Sequence, residues 1–151
     1  MTVTLGVIVV LTSGTAAGVL FSVALSVVPA FLALAPDRYV EMHKLVGRRY
    51  DRVMPPTVAI AVAADVILAV ASSGPAVRIL FACAALLGGG VMAVSQFGNV
   101  PINRQVKSMA PGAVPPGWRD PRPRWRALNL TRTSFALLAL TANACALAAS
   151  R

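Results

Sequence analysis

The amino-acid sequence predicts an all-α protein: an integral membrane four-helix bundle with an interfacial amphipathic helix ahead of its second span and a structured loop ahead of its last. Three observations predict it. Of 151 residues, 57% are hydrophobic and 13% charged, too uneven a balance for the surface of a soluble domain of this size. Four apolar runs, at about 3–34, 53–73, 79–97 and 133–149, approach or exceed the ~20 helical residues that cross a hydrocarbon core. Twelve of the fourteen Lys and Arg fall in two links between those runs, 38–52 and 104–132, and such clustering orients a membrane protein. A pI near 11.3 would suit a nucleic-acid binder only if the charge formed a soluble basic face, so nucleic acid is excluded as a partner. Residues 1–151 read as a single membrane domain.

The first run, 3–34, is over-long and contains Pro29, which predicts a bend or an exit from the membrane there. It lacks a positively charged leader, so it reads as a retained span although Ala33-Leu34-Ala35 imitates a cleavage site. Gly14 and Gly18 form a small-residue pattern, explained equally by close helix pairing, a homo-oligomer included, and by the abundance of Gly and Ala. In segment 37–52, Tyr39, His43, Val46 and Tyr50 recur every three or four residues and share one helical stripe, while Arg38, Lys44, Arg48 and Arg49 point to headgroups. Pro55-Pro56 then opens span two, where the chain is free to turn. Ser72-Ser73-Gly74-Pro75 is a tight turn, so spans two and three are antiparallel neighbours. Gly88-Gly89-Gly90 in span three suggests close helix approach. The next link runs through Pro111, Pro115-Pro116 and Pro121, and the last helix extends back through Leu128–Arg132. Cys83 and Cys145 lie in apolar runs, as small buried hydrophobes with no disulfide implied. The positive-inside rule makes this a multi-pass cell-membrane protein with cytoplasmic basic links and both termini outside.

Polar residues are scarce, so those at helical spacing stand out. His43 is the only histidine. Without Cys or carboxylates at ligand spacing it makes no ordinary metal site, so no metal is expected; it is either an acid/base group or an interfacial histidine. Asp65, near the middle of span two, must face the bundle interior, as an interhelical hydrogen bonder or a proton relay. Asn99 and Asn103 bracket Pro101; they either satisfy the backbone groups that proline frees or donate to an oxygen of a bound substrate. Trp125, Asn129 and Arg132 are four and three residues apart and share one face. That face suits a planar, oxygenated aromatic molecule, or else a membrane-belt tryptophan with a lipid-binding arginine.

Together these elements make the chain resemble the anthrone-oxygenase-like family of small four-helix membrane proteins. The resemblance rests on Val-Pro-Ala at 28–30, the pair Tyr39 and His43, the Asn99-x-Pro101-x-Asn103 run, and Trp125-x-x-x-Asn129-x-x-Arg132-Thr133. It implies oxidation of an anthrone-like aromatic polyketide by dioxygen, with no other cofactor, through base-promoted enolate formation. His43 would then be the base; some members carry a histidine where this chain has Asn129, and if that histidine is their proton acceptor the role here passes to His43 or is absent. Asn99, Asn103 and Asn129 would be oxyanion donors, Arg132 would stabilise charge, and Trp125, Tyr39, Tyr50 and Trp118 would hold the ring system. The competing readings are a non-redox cyclase or isomerase acting on a lipophilic natural product, and a non-catalytic adaptor whose basic links bind membrane lipids or a partner enzyme.

Overall fold

The computed structural model describes residues 2–110, 114 and 117–150. Helix α1 (Thr2–Ser22) passes through a π-helical turn (Val23–Val27) into α2 (Val28–Ala33). After a break at Leu34-Ala35, α3 (Pro36–Ala71) runs unbroken for 36 residues. Helix α4 (Pro75–Val94) passes through a second π-helical turn (Ser95–Asn99) into α5 (Val100–Ser108), and α6 (Arg122–Ala149) closes the bundle. These form four rods of 31, 36, 34 and 28 residues, each long and apolar enough to cross a membrane. Helix α1 packs beside α3 and α6, and α4 beside the same two, so α1 and α4 stand diagonally across the core. Pro111, Pro115 and Pro116, expected in the loop before α6, lie outside the described residues.

The rods differ from the sequence expectation in one physical respect. Proline does not end them. The amphipathic segment 37–52 is the first half of α3 rather than a separate interfacial helix, and Pro55-Pro56 sits inside that helix. The carbonyls left without a donor are those of Asp51 and Arg52, on exposed residues at the charged end, where water or headgroups can satisfy them. Pro29 and Pro101 each follow a π-turn by two residues, and in each turn a backbone N–H reaches five residues back, from Val28 to Val23 and from Val100 to Ser95. The helix therefore continues past Pro29 to Ala33 and past Pro101 to Ser108.

The core has three tiers. Val9, Ala64, Leu68, Phe81 and Ala146 fill the end near the Ser72–Gly74 turn. Ala17, Leu20, Val58, Val91 and Ala136 fill the middle. Phe31, Tyr39, Ile102, Val106 and Trp125 fill the basic end. Large apolar side chains such as Leu86, Val70 and Phe97 face outward, as a surface bathed in hydrocarbon allows. Cys83 and Cys145 also face outward and are unpaired, which corrects their expected burial. Close approach falls elsewhere than at Gly14 and Gly18: a Cβ on Gly18 would meet nothing, whereas one on Gly88 would come within 2.6 Å of Val62 and one on Gly90 within 2.9 Å of Phe135.

Candidate functional site

Between the middle and basic tiers the bundle encloses a cavity of about 410 Å³, lined by residues from every rod, a volume within the range of small-molecule sites. The π-turns explain why its walls are continuous. At four-residue steps the lining takes Val19, Val23, Val27 and Phe31 from α1–α2, and Val91, Ser95, Asn99 and Asn103 from α4–α5. A four-residue spacing drifts by about 40° per step around a 3.6-residue helix. A wider turn in each rod absorbs that drift, so all four residues keep facing the cavity. The two walls stand diagonally opposed, one purely apolar and the other carrying a hydroxyl and the three amides of Gln96, Asn99 and Asn103.

At the basic end the polar groups form one connected unit. Trp125 Nε1 donates to Asn103 Oδ1 at 3.0 Å, and His43 Nε2 lies 3.1 Å from the same oxygen. An indole can only donate, so the atom it meets must be the carbonyl oxygen, which can only accept. His43 Nε2 therefore carries the proton in this arrangement, which leaves Nδ1 with the basic lone pair. Nδ1 is buried with no hydrogen-bond partner. The imidazole is wedged among Phe31, Tyr39 and Trp125, with ring centroids 5.3 to 5.7 Å away. Asn103 has its Nδ2 free to donate elsewhere, while Asn99 Nδ2 makes a long 3.5 Å contact to Trp125 O. Neither amide caps a helix, because the rod continues past them.

The other expected site residues divide clearly. Arg132 lines the cavity one pole away, with Nη1 on Ser95 Oγ at 3.3 Å. Tyr50 lines the mouth and is 39% exposed. Tyr39 is fully buried behind His43, outside the lining; Trp118 packs on its far side with centroids 6.3 Å apart, and Arg122 stands 5.3 Å from its ring centroid. The expected ring contacts at Tyr39 and Trp118 are thus corrected to a supporting layer. Asn129 is also fully buried and outside the lining, although Trp125 and Arg132, which share its stripe, both line the cavity. Asp65 lies beyond the cavity floor of Val58 and Val91, in a separate void of about 20 Å³, with Asn143 beside it. Among the described residues no three His, Cys, Asp or Glu side chains gather in one place.

The loop before α6 is tied down. Arg122 pairs with Asp120 at 2.7 Å and donates to the carbonyl oxygens of Phe31 and Leu34 at 2.9 and 2.6 Å. The guanidinium beside Asp120 holds its carboxyl below the usual carboxylate range. Lys44 donates to Met109 O and Lys107 pairs with Asp51, so the loop and α5 are both anchored on α3. Sequence reasoning missed Ser95, Gln96, Asp51 and the apolar wall of α1–α2; the four-residue spacing ahead of each Val-Pro was the available signal.

A family model described as anthrone oxygenase matches residues 42–142, a stretch that holds His43, Asn99, Asn103, Trp125 and Arg132. No curated protein and no solved structure matches the chain.

Proposed function

Since the chain belongs to the anthrone oxygenase family, we propose that it oxidises an anthrone-like aromatic polyketide, or a related lipophilic aromatic, to a quinone with dioxygen as the co-substrate and no other cofactor. The observation that carries this reading is the unpartnered Nδ1 of a cavity-lining His43 whose other nitrogen is committed to Asn103. A base so placed removes a proton from the ring methylene, and the free Nδ2 of Asn103, with Asn99 beside it, stabilises the enolate oxygen. The electron-rich enolate passes an electron to dioxygen and a carbon–oxygen bond closes to give a peroxide. Loss of water with the second methylene hydrogen leaves the carbonyl. One oxygen atom ends in the quinone and the other in water.

The lining residues that are exposed, Tyr50, Asp51, Pro55, Met92 and Gln96, all belong to α3 and the α4–α5 rod, so the cavity opens between those rods. We place the basic end in the cytoplasm, against anionic headgroups, with both termini outside.

The test is dioxygen uptake by the purified protein in lipid nanodiscs supplied with anthrone. Uptake should match quinone formation mole for mole and exceed autoxidation, and His43→Ala should lower the rate at least about a hundredfold. Product formed without dioxygen uptake, or full turnover by His43→Ala, refutes the proposal.

A further inference from the structure

The pole of the cavity that this proton transfer does not use is built around Arg132. Its Nη1 is engaged by Ser95, but its Nε is buried with no acceptor. The unfilled edge of the guanidinium, Nε–H with Nη2–H, has the spacing that matches the two oxygens of a carboxylate. Among the described residues no carboxylate pairs with it: Glu41, Asp51 and Asp120 are held by Arg38, Lys107 and Arg122, Asp65 sits in its separate void, and Asp37, in the first turn of α3, is outside the lining. Arg132 also lies seventeen residues before Ala149 on α6, about 25 Å along the helix axis and so within reach of a ~30 Å hydrocarbon layer. A guanidinium does not shed its proton, and an unpaired charge at that depth is costly. The one carboxylate in the lining, Asp51, is exposed at the mouth and held by Lys107, so the inner pole around Arg132 lacks a negative partner.

The two poles are separated by a known length. Trp125 and Arg132 are seven residues apart on α6, about 10 Å of axial rise, with Leu20, Val23, Val58 and Val91 among the residues lining the cavity. Arg132 is thus too far along the bundle to meet the oxygen that develops charge beside His43.

We infer that Arg132, oriented by Ser95, whose hydroxyl donates to Val91 O, binds a carboxylate of the ligand, so that the substrate is an amphiphilic acid: a flat apolar body with its reactive carbon at His43 and its charged end about 10 Å deeper in the bundle. This rests on the reading of the cavity as an aromatic substrate site. The test is equilibrium dialysis of the full chain in a neutral detergent with two uncleavable probes, anthraquinone-2-carboxylate and anthraquinone-2-carboxamide. The carboxylate should bind at least about tenfold tighter to the unmodified protein. Arg132→Gln should bring the two affinities together, and Arg132→Lys should keep part of the preference. If Arg132→Gln does not fold, Ser95→Ala should weaken the carboxylate severalfold and leave the carboxamide unchanged. Equal affinities in the unmodified protein, or a preference that survives Arg132→Gln, overturn the inference alone. Binding of neither probe overturns the aromatic site as well. A carboxylate preference that persists in a protein without oxygenase turnover upholds the anion pole and refutes only the reaction.

Discussion

Because the Trp125 indole can only donate, its bond to Asn103 is passed on to His43 as a choice of tautomer, and each link can be broken singly. His43 is the only histidine, so ¹⁵N-histidine labelling reports on one ring: Nε2 should show the protonated shift and Nδ1 the lone-pair shift. Trp125→Phe keeps an aromatic ring but frees the Asn103 amide to flip. The tautomers should then mix and kcat should fall about fivefold, the equivalent of one hydrogen bond of ~1 kcal/mol, with KM little changed. An unchanged ¹⁵N spectrum would show that the indole does not set the proton. Asp120 gives a second prediction. Its carboxyl is depressed in the folded chain by Arg122, so the pair contributes stability above the ordinary aspartate value of about 3.9 and loses it as pH falls through the lower folded value. The pair is partly exposed and the effect small; thermal unfolding between about pH 5 and pH 3 should fall more steeply for the wild type than for Asp120→Asn. His43, Asn99, Asn103, Trp125 and Arg132 were legible because polar residues at helical spacing are conspicuous in an apolar chain. Their partners were not, since the bond between His43 and Asn103 joins positions sixty apart and exists only through helix packing. Asn129 shows the limit of periodicity, which identifies a face but not which of its residues line a cavity.

Helix existence was legible from run lengths and the Ser72–Pro75 turn, whereas helix continuity was not. Proline is read as a terminator because its missing N–H and its ring disrupt the preceding turn; here a wide turn before Pro29 and before Pro101 accommodates both, and Pro55-Pro56 leaves its orphan carbonyls at the charged end. The consecutive glycines of α4 offer a sharper test of element packing than of flexibility. Gly88→Ala would place a methyl 2.6 Å from Val62 Cγ2, on a stiff β-branched side chain, whereas at Gly89 it would meet nothing. Gly88→Ala should destabilise the bundle by about 1–3 kcal/mol, while Gly89→Ala leaves the unfolding temperature in detergent nearly unchanged. Equal effects at the two positions would mean that α3 and α4 are not packed at this distance.

At the scale of the whole molecule, rods of 28 to 36 residues are about 42–54 Å long and exceed a ~30 Å hydrocarbon core. The tight turn and the scarcity of charge at one end put the excess length at the other, where the basic residues and His43 lie. A mouth between α3 and α4 then meets the boundary between acyl chains and headgroups, where a lipophilic acid would reside. Met92 is 41% exposed at that mouth. Met92→Trp should narrow it and lower kcat/KM severalfold with kcat preserved; an equal fall in both would mean that the residue shapes the interior instead. The paired wide turns carry one more consequence. An offset of 72 positions aligns Val19, Leu20, Val23, Val27, Pro29 and Phe31 with Val91, Met92, Ser95, Asn99, Pro101 and Asn103, so the two diagonal rods share one register of wide turn, proline and cavity-facing residues. The first rod lines the cavity with apolar side chains alone, and the third carries a hydroxyl and amides at the matching positions. Val27→Asn or Val23→Ser would therefore set a polar group on the apolar wall at the position its counterpart holds on the other, and so offer the guest a second place to anchor.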